Sequence, residues 1–299
     1  MKAIALTFFL IFPTFALAKT KVVTTLPSFA DIARIVGGED AEATSLTRGN
    51  QDPHFVDPKP DLILRLNRAD LLVYAGLGLE DGWLPPLVTG SRNGKIQPGT
   101  PGNLDTSTLV ELKDIPSSVD RSQGDVHPGG NPHFMLDPRN GIVVARGLAV
   151  RLGQLDPAKA QAFRARAEAY AKELTAKIGS WEKALAPLKG RAVVTYHRSW
   201  PYFLAWSGLR PEGYIEPKPG IPPAPDHIAG LVRTMKEKKV TLVLVEPYYP
   251  RGTAEEVARL AGAKLHVLPT EVEGTEAARG YSAVFDTIVA ALTTPKASP

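Results

Sequence analysis

The stretch "DPAKAQAFRARAEAYAKELTAKIGSWEKALAPL", Asp156 to Leu188, decides how the rest of the chain is read. Asp156-Pro157 reads as a helix N-cap followed by a proline at the first helical position, where a missing N–H costs nothing. From there Phe163, Ala167, Tyr170, Leu174, Ile178, Trp181, Leu185 and Leu188 recur at steps of three or four. That spacing draws one apolar stripe along a single helix. The helix would run about 30 residues, or about 45 Å at 1.5 Å per residue, with only Gly179 weakening its interior. Apolar runs and helical patterns alternate on both sides of it, so it reads as a rigid strut joining two lobes. The plainer alternative is a long core helix within one domain.

The flanking halves have the same texture. Candidate strands in the first are "KVVTTL" (21–26), "ATSLT" (43–47) and "DLLVYAG" (70–76). Those in the second are "RAVVTY" (191–196), "GYIEP" (213–217), "TLVLVEP" (241–247) and "KLHVL" (264–268). Helical patterns at 28–37, 59–68, 139–153, 224–238, 253–262 and 280–293 lie between them. Strands alternating with helices predict an α/β fold, with a mainly parallel sheet flanked by helices in each lobe. The expected division is 19–155 for the N-terminal lobe, 156–188 for the linking helix and 189–299 for the C-terminal lobe. No residue-level internal repeat is evident.

Residues 1–18, "MKAIALTFFLIFPTFALA", read as a secretory signal: Lys2, then an apolar run, then the small-x-small site Ala16-Leu17-Ala18. The run is shorter than a membrane span needs, and Pro13 interrupts it. The chain has no cysteine, so there is neither a disulfide framework nor a thiol to carry a lipid at the end of the signal. The expectation is a protein free in the periplasm rather than lipid-anchored. Any metal site must then be built from His, Asp and Glu. The net charge of +4 is spread over interleaved Lys, Arg, Asp and Glu. No basic run points to nucleic acid.

Six histidines are available for such a site. His54 lies in "NQDPHFVDPKP", with Pro53 and Pro58 restricting the backbone on both sides. His133 lies in "NPHFMLDP", between Pro132 and the Asp137-Pro138 helix start. His197 follows "RAVVTY" directly, at the carboxyl end of a parallel strand, where ligands bind in open α/β sheets. The three form a candidate neutral-imidazole set for Zn²⁺, although their separations match no short-range metal motif. His127, in the looser Gly/Pro stretch "GDVHPGG", reads as an accessory at most. His227 reads as surface and His266 as a structural strand residue.

The ordered set "DPH" (52–54), "NPHFMLDP" (131–138), "TYHRSWPYFLAWSGL" (195–209), "GIPPAPDHIAGLVRTMKEKKV" (220–240), "LVEPYY" (244–249) and "GYSAVFDTIVAAL" (280–292) resembles the zinc/manganese ABC-transporter solute-binding proteins. The resemblance spans nearly the whole chain after the signal. It implies two lobes joined by one long helix, with a metal ion in the cleft and a membrane ABC permease as recipient. It places His54 and His133 in the N-terminal lobe's half of the site and His197 in the other. A histidine in that third position favours zinc over manganese, which prefers oxygen donors. The family's fourth ligand, an Asp after the last strand, is absent. Pro269 and Thr270 stand there, and Glu271 is the nearest carboxylate and the expected substitute. Water or Glu246 are the alternatives.

Three histidines with an open position also suit a catalytic zinc, so a zinc-dependent hydrolase stays open beside the transport reading. A metal-binding adhesin or chaperone stays open too. No HExxH or GxSxG motif is present, which weighs against hydrolysis. The expected protein is a monomeric, non-enzymatic carrier of zinc.

Overall fold

The computed structural model describes residues 19–116 and 127–294, so the expected signal, residues 1–18, and residues 124–126 of the His127 loop lie outside the described residues. The first half runs β1 (Thr20–Thr24), α1 (Pro27–Gly37), β2 (Ala41–Ser45), α2 (Pro60–Asn67), β3 (Leu71–Tyr74), α3 (Leu84–Ser91), β4 (Asn103–Asp105) and α4 (Pro138–Leu155). Then come α5 (Ala160–Leu185), β5 (Ala192–Thr195), α6 (Pro201–Ser207), β6 (Arg210–Tyr214), α7 (Pro225–Glu237), β7 (Leu242–Val245), α8 (Arg251–Ala261), β8 (Lys264–Val267) and α9 (Tyr281–Thr293). The strands form two parallel four-stranded sheets, ordered β2-β1-β3-β4 and β6-β5-β7-β8. The expected α/β class is the observed one, and the two sheets are wound alike. In each, the strand order reverses beside the first strand, which opens a crevice at the carboxyl ends of the central pair.

The decisive stretch folds as a 3-10 turn (Pro157–Lys159), the 26-residue α5, and a second 3-10 turn (Ala186–Leu188). Its helical part is therefore about 39 Å long, a little shorter than expected. All eight stripe residues are buried. Asp156 stands at the cap position without making the cap bond and pairs with Lys159 instead. The amino-terminal half of α5 is tied to the first lobe, where Arg166 donates to the carbonyls of Val36 and Gly37 and pairs with Asp40. The carboxyl-terminal half is tied to the second. Trp181 Nε1 donates to Asp286, and Glu182 accepts from Trp206 Nε1.

Three elements escape a reading by periodicity, and a fourth, β6, is misplaced by it. β4 is only three residues long. α3 and α6 each carry proline in their first turn, where it is tolerated although it resembles a breaker. β6 lies earlier than "GYIEP" and includes Pro211, which an edge strand accommodates. One large core cluster runs from the α1–α4 layer along α5 to α9, joining both halves, and each sheet has a smaller core on its other face. Among the described residues, no helix is long and apolar enough to cross a membrane.

Candidate metal centre

The two crevices bring the predicted histidines together. His54 comes from the loop between β2 and α2, His133 from the turn entering α4, and His197 from the residues just after β5. One ligand nitrogen from each lies within 4.8 Å of the others. Ring centroids are 5.1 Å apart for His54–His133, 5.3 Å for His54–His197 and 5.6 Å for His133–His197.

Local sequence explains the placing. Asp52 Oδ1 accepts from the His54 backbone N–H at 3.0 Å and lies 2.7 Å from His54 Nδ1, closing a tight turn around Pro53. Asn131 does the same for the His133 backbone N–H at 3.0 Å. Asp137 caps α4 by accepting from Arg139 N, which anchors the far end of that segment. His197 is oriented across the sheet: its Nδ1 lies 2.5 Å from Glu216 Oε2, in the segment leaving the neighbouring strand β6. A carboxylate on Nδ1 makes that nitrogen the donor and turns the Nε2 lone pair toward the centre. Asp52, inside "DPH", and Glu216, inside the candidate strand "GYIEP", are thus the orienting partners of two histidines.

Burial favours the neutral imidazole at His133 and His197. Burial lowers the affinity of His133 for a proton well below the ordinary value. It lowers that of His197 too, although the Glu216 carboxylate opposes it. Burial pushes the Asp52 carboxyl up, but the hydrogen bonds from the His54 ring and backbone prevail and hold it below the usual range. His133 Nε2 is buried and has no hydrogen-bond partner among the described residues, as a nitrogen reserved for a metal would be.

The other predicted residues fall as follows. Glu271 Oε2 accepts from the backbone N–H and hydroxyl of Ser28, at 3.0 and 2.6 Å, at the start of α1 in the other half of the molecule. It is outside the three-histidine group, although it shares a small cavity with His133, Tyr248 and Thr270. Burial raises its carboxyl to about 7. Glu246, at the end of β7, accepts from Trp200 Nε1 at 3.0 Å, and burial raises it to about 8. His227 bonds the Tyr214 carbonyl, and His266 is buried in β8. His127 stands closer than its loop suggested, with Nε2 3.3 Å from His54 Nε2, although it too lies outside the three-histidine group.

Two like-wound sheets with histidines meeting between their carboxyl ends are what a cleft-binding carrier needs. The sequence profile of the family described as zinc-uptake complex component A, periplasmic (ZnuA), matches residues 22–294. The chain belongs to this family. PsaA, the manganese ABC transporter substrate-binding lipoprotein of Streptococcus pneumoniae, is 28% identical over 240 residues, covering 76% of this chain and 72% of PsaA. The iron-binding protein YfeA of Yersinia pestis is 26% identical over 266 residues, covering 84% of this chain and 77% of YfeA. A solved structure of a ZnuA deletion mutant with zinc bound matches with a TM-score of 0.76 at 26% identity, covering 94% of this chain and all of that one. The ZnuA family consists of substrate-binding transport proteins of metal ABC transporters. The names of these three relatives carry three different metals, so membership gives the transport role without the ion.

Proposed function

We propose that the protein captures Zn²⁺ between its lobes through His54, His133 and His197 and delivers it to a membrane ABC permease. The observation that carries this reading is the convergence of three imidazole nitrogens within 4.8 Å, two of them steered by carboxylates on the opposite ring nitrogen. An all-nitrogen set suits zinc better than manganese, which prefers oxygen, and affinities of nitrogen sites rise from Mn²⁺ and Fe²⁺ toward Zn²⁺. Glu271, placed as the substitute fourth ligand by sequence, serves in this reading as a tie between the lobes beside the ion, through Ser28. The lobes are 19–155 and 189–299, with 156–188 linking them. The mature chain works as a periplasmic monomer without a lipid anchor.

The test is a competition titration of metal-free protein against a chromophoric chelator with Zn²⁺, Mn²⁺ and Fe²⁺ in turn. Zinc should bind at least about a hundredfold more tightly than manganese, and His133→Ala should remove most of that affinity. Equal affinity for manganese, or an unaffected His133→Ala protein, would overturn the reading.

A further inference from the structure

We propose that His127 is a fourth ligand of the captured ion and that Glu80 is the residue that positions it. This rests on the three-histidine reading above and goes beyond it.

The first argument is the 3.3 Å separation between His54 Nε2 and His127 Nε2. His54 Nδ1 lies 2.7 Å from the Asp52 carboxylate, which accepts its proton in a hydrogen bond. His127 hydrogen-bonds the Leu77 backbone, and its Nδ1 lies against Gly78. A carbonyl accepts only from a protonated nitrogen, so both Nε2 atoms present bare lone pairs to each other. Two lone pairs at that distance repel unless a cation lies between them. Tetrahedral zinc with Zn–N bonds of about 2.0–2.1 Å spaces its nitrogens about 3.3 Å apart.

The second argument is the seat on which His127 rests. Gly76, Leu77 and Gly78 all have positive φ, at 76°, 57° and 87°. Leu77 is held there against the steric cost that a side chain pays in this region. The buried Glu80 carboxylate keeps the turn in place. It accepts from Ala75 N at 2.8 Å, Gly76 N at 3.0 Å and the Thr25 hydroxyl at 2.7 Å. The turn offers the Leu77 carbonyl to His127, and the Leu77 side chain packs under Gly129, where an added Cβ would stand 2.8 Å from Cδ2. Even Gly76 has no room for a side chain, since its Cβ would fall 2.3 Å from Asp105 Oδ1. Glu80 touches no ligand atom in this arrangement. It acts through the turn.

X-ray absorption at the zinc edge of the zinc-loaded full chain counts the imidazoles, and Co²⁺ substitution reports the geometry. Wild type should show four nitrogen ligands and intense tetrahedral cobalt bands. His127→Ala should show three imidazoles and one oxygen, with zinc affinity about 10- to 100-fold lower, the loss typical of disturbing such a site. Glu80→Gln keeps the shape but turns an amide toward the two backbone N–H groups. It should reproduce the three-imidazole spectrum, and the double variant should lose no more affinity than His127→Ala alone. A purely structural role for Glu80 would instead lower stability, leave the spectrum unchanged and add to the His127→Ala loss, which overturns the positioning role. If Glu80→Gln does not fold, Thr25→Val, which removes one hydrogen bond to the same carboxylate, takes its place. Three imidazoles in wild type, or full affinity in His127→Ala, overturns the fourth ligand while leaving the three-histidine site standing. Wild-type affinity in His133→Ala refutes that site itself.

Discussion

Glu246→Gln tests how the buried carboxylates set the stability of the metal-free protein. Glu246 is 1% exposed and accepts from Trp200 Nε1 at 3.0 Å on Oε1. Burial raises its pKa from the ordinary 4.5 to about 8, so the fold favours the protonated acid. The stabilisation from a raised acid is complete below 4.5 and disappears as pH climbs through 8, because the unfolded chain releases a proton that the folded one retains. Between pH 6.5 and 8, allowing for half-ionisation at 8, this amounts to about 1.2 pH units at 1.36 kcal/mol each, or between about 1.5 and 2 kcal/mol. His127, His133 and His197 are all lowered below 6.5 and contribute little slope in that window. Glu80 and Glu271, each raised to about 7, contribute equally to wild type and variant. Glutamine cannot ionise and keeps a carbonyl for Trp200. Urea unfolding in chelator, followed by tryptophan fluorescence at four pH values from 6.5 to 8, should show wild type losing between about 1.5 and 2 kcal/mol more than Glu246→Gln. Parallel pH profiles would refute the buried neutral acid.

Glu216→Gln and Asp52→Asn should each lower zinc affinity about 10- to 100-fold, measured by chelator competition; an unchanged affinity would sever the proposed link between those carboxylates and metal binding by the histidines. Zinc at a hundredfold above its dissociation constant should stabilise the protein by about 2.7 kcal/mol, and a melting curve unmoved by zinc would count against a folded-state site. Because burial lowers His127, His133 and His197, proton competition at these three should set in below the pH of free imidazole. Zinc affinity should therefore change little from pH 8 to 6.5 and fall at least about tenfold by pH 4; a steep fall already above pH 6.5 would contradict buried neutral ligands. Gly141→Ala would place a methyl 2.2 Å from the Tyr281 ring, between α4 and α9, and should cost about 1–3 kcal/mol in unfolding free energy.

The α5 stripe was legible because one face of a straight helix is buried throughout, so period alone reveals it. His197 was legible because it ends a strand, and His54 and His133 because prolines pin their neighbours. What escaped depended on partners distant in sequence. Glu216 reaches His197 only because β6 lies beside β5, and Pro211 hid where β6 begins. The donors to Glu271 sit on Ser28, 243 residues away. His127 looked loose because its support is the left-handed turn at 76–78, some fifty residues upstream, and no local spacing announces it. Asp52 could have been found: an Asp two residues before a candidate ligand, with Pro between, is a turn that delivers a carboxylate to the ring.

The two-ended fastening of α5 has a mechanical consequence. With Arg166 gripping one lobe and Trp181 and Glu182 the other, the lobes share a torsion bar rather than a hinge. A tilt of about 3° over a helix about 39 Å long displaces its far end by only about 2 Å. Yet a coordination bond of about 2 Å has almost no stretch to give. If His197 from one sheet and His54 and His133 from the other hold one ion, as proposed, a displacement of that size is enough to uncouple them. Cargo discharge by this carrier thus needs a flexure small enough to leave both cores packed.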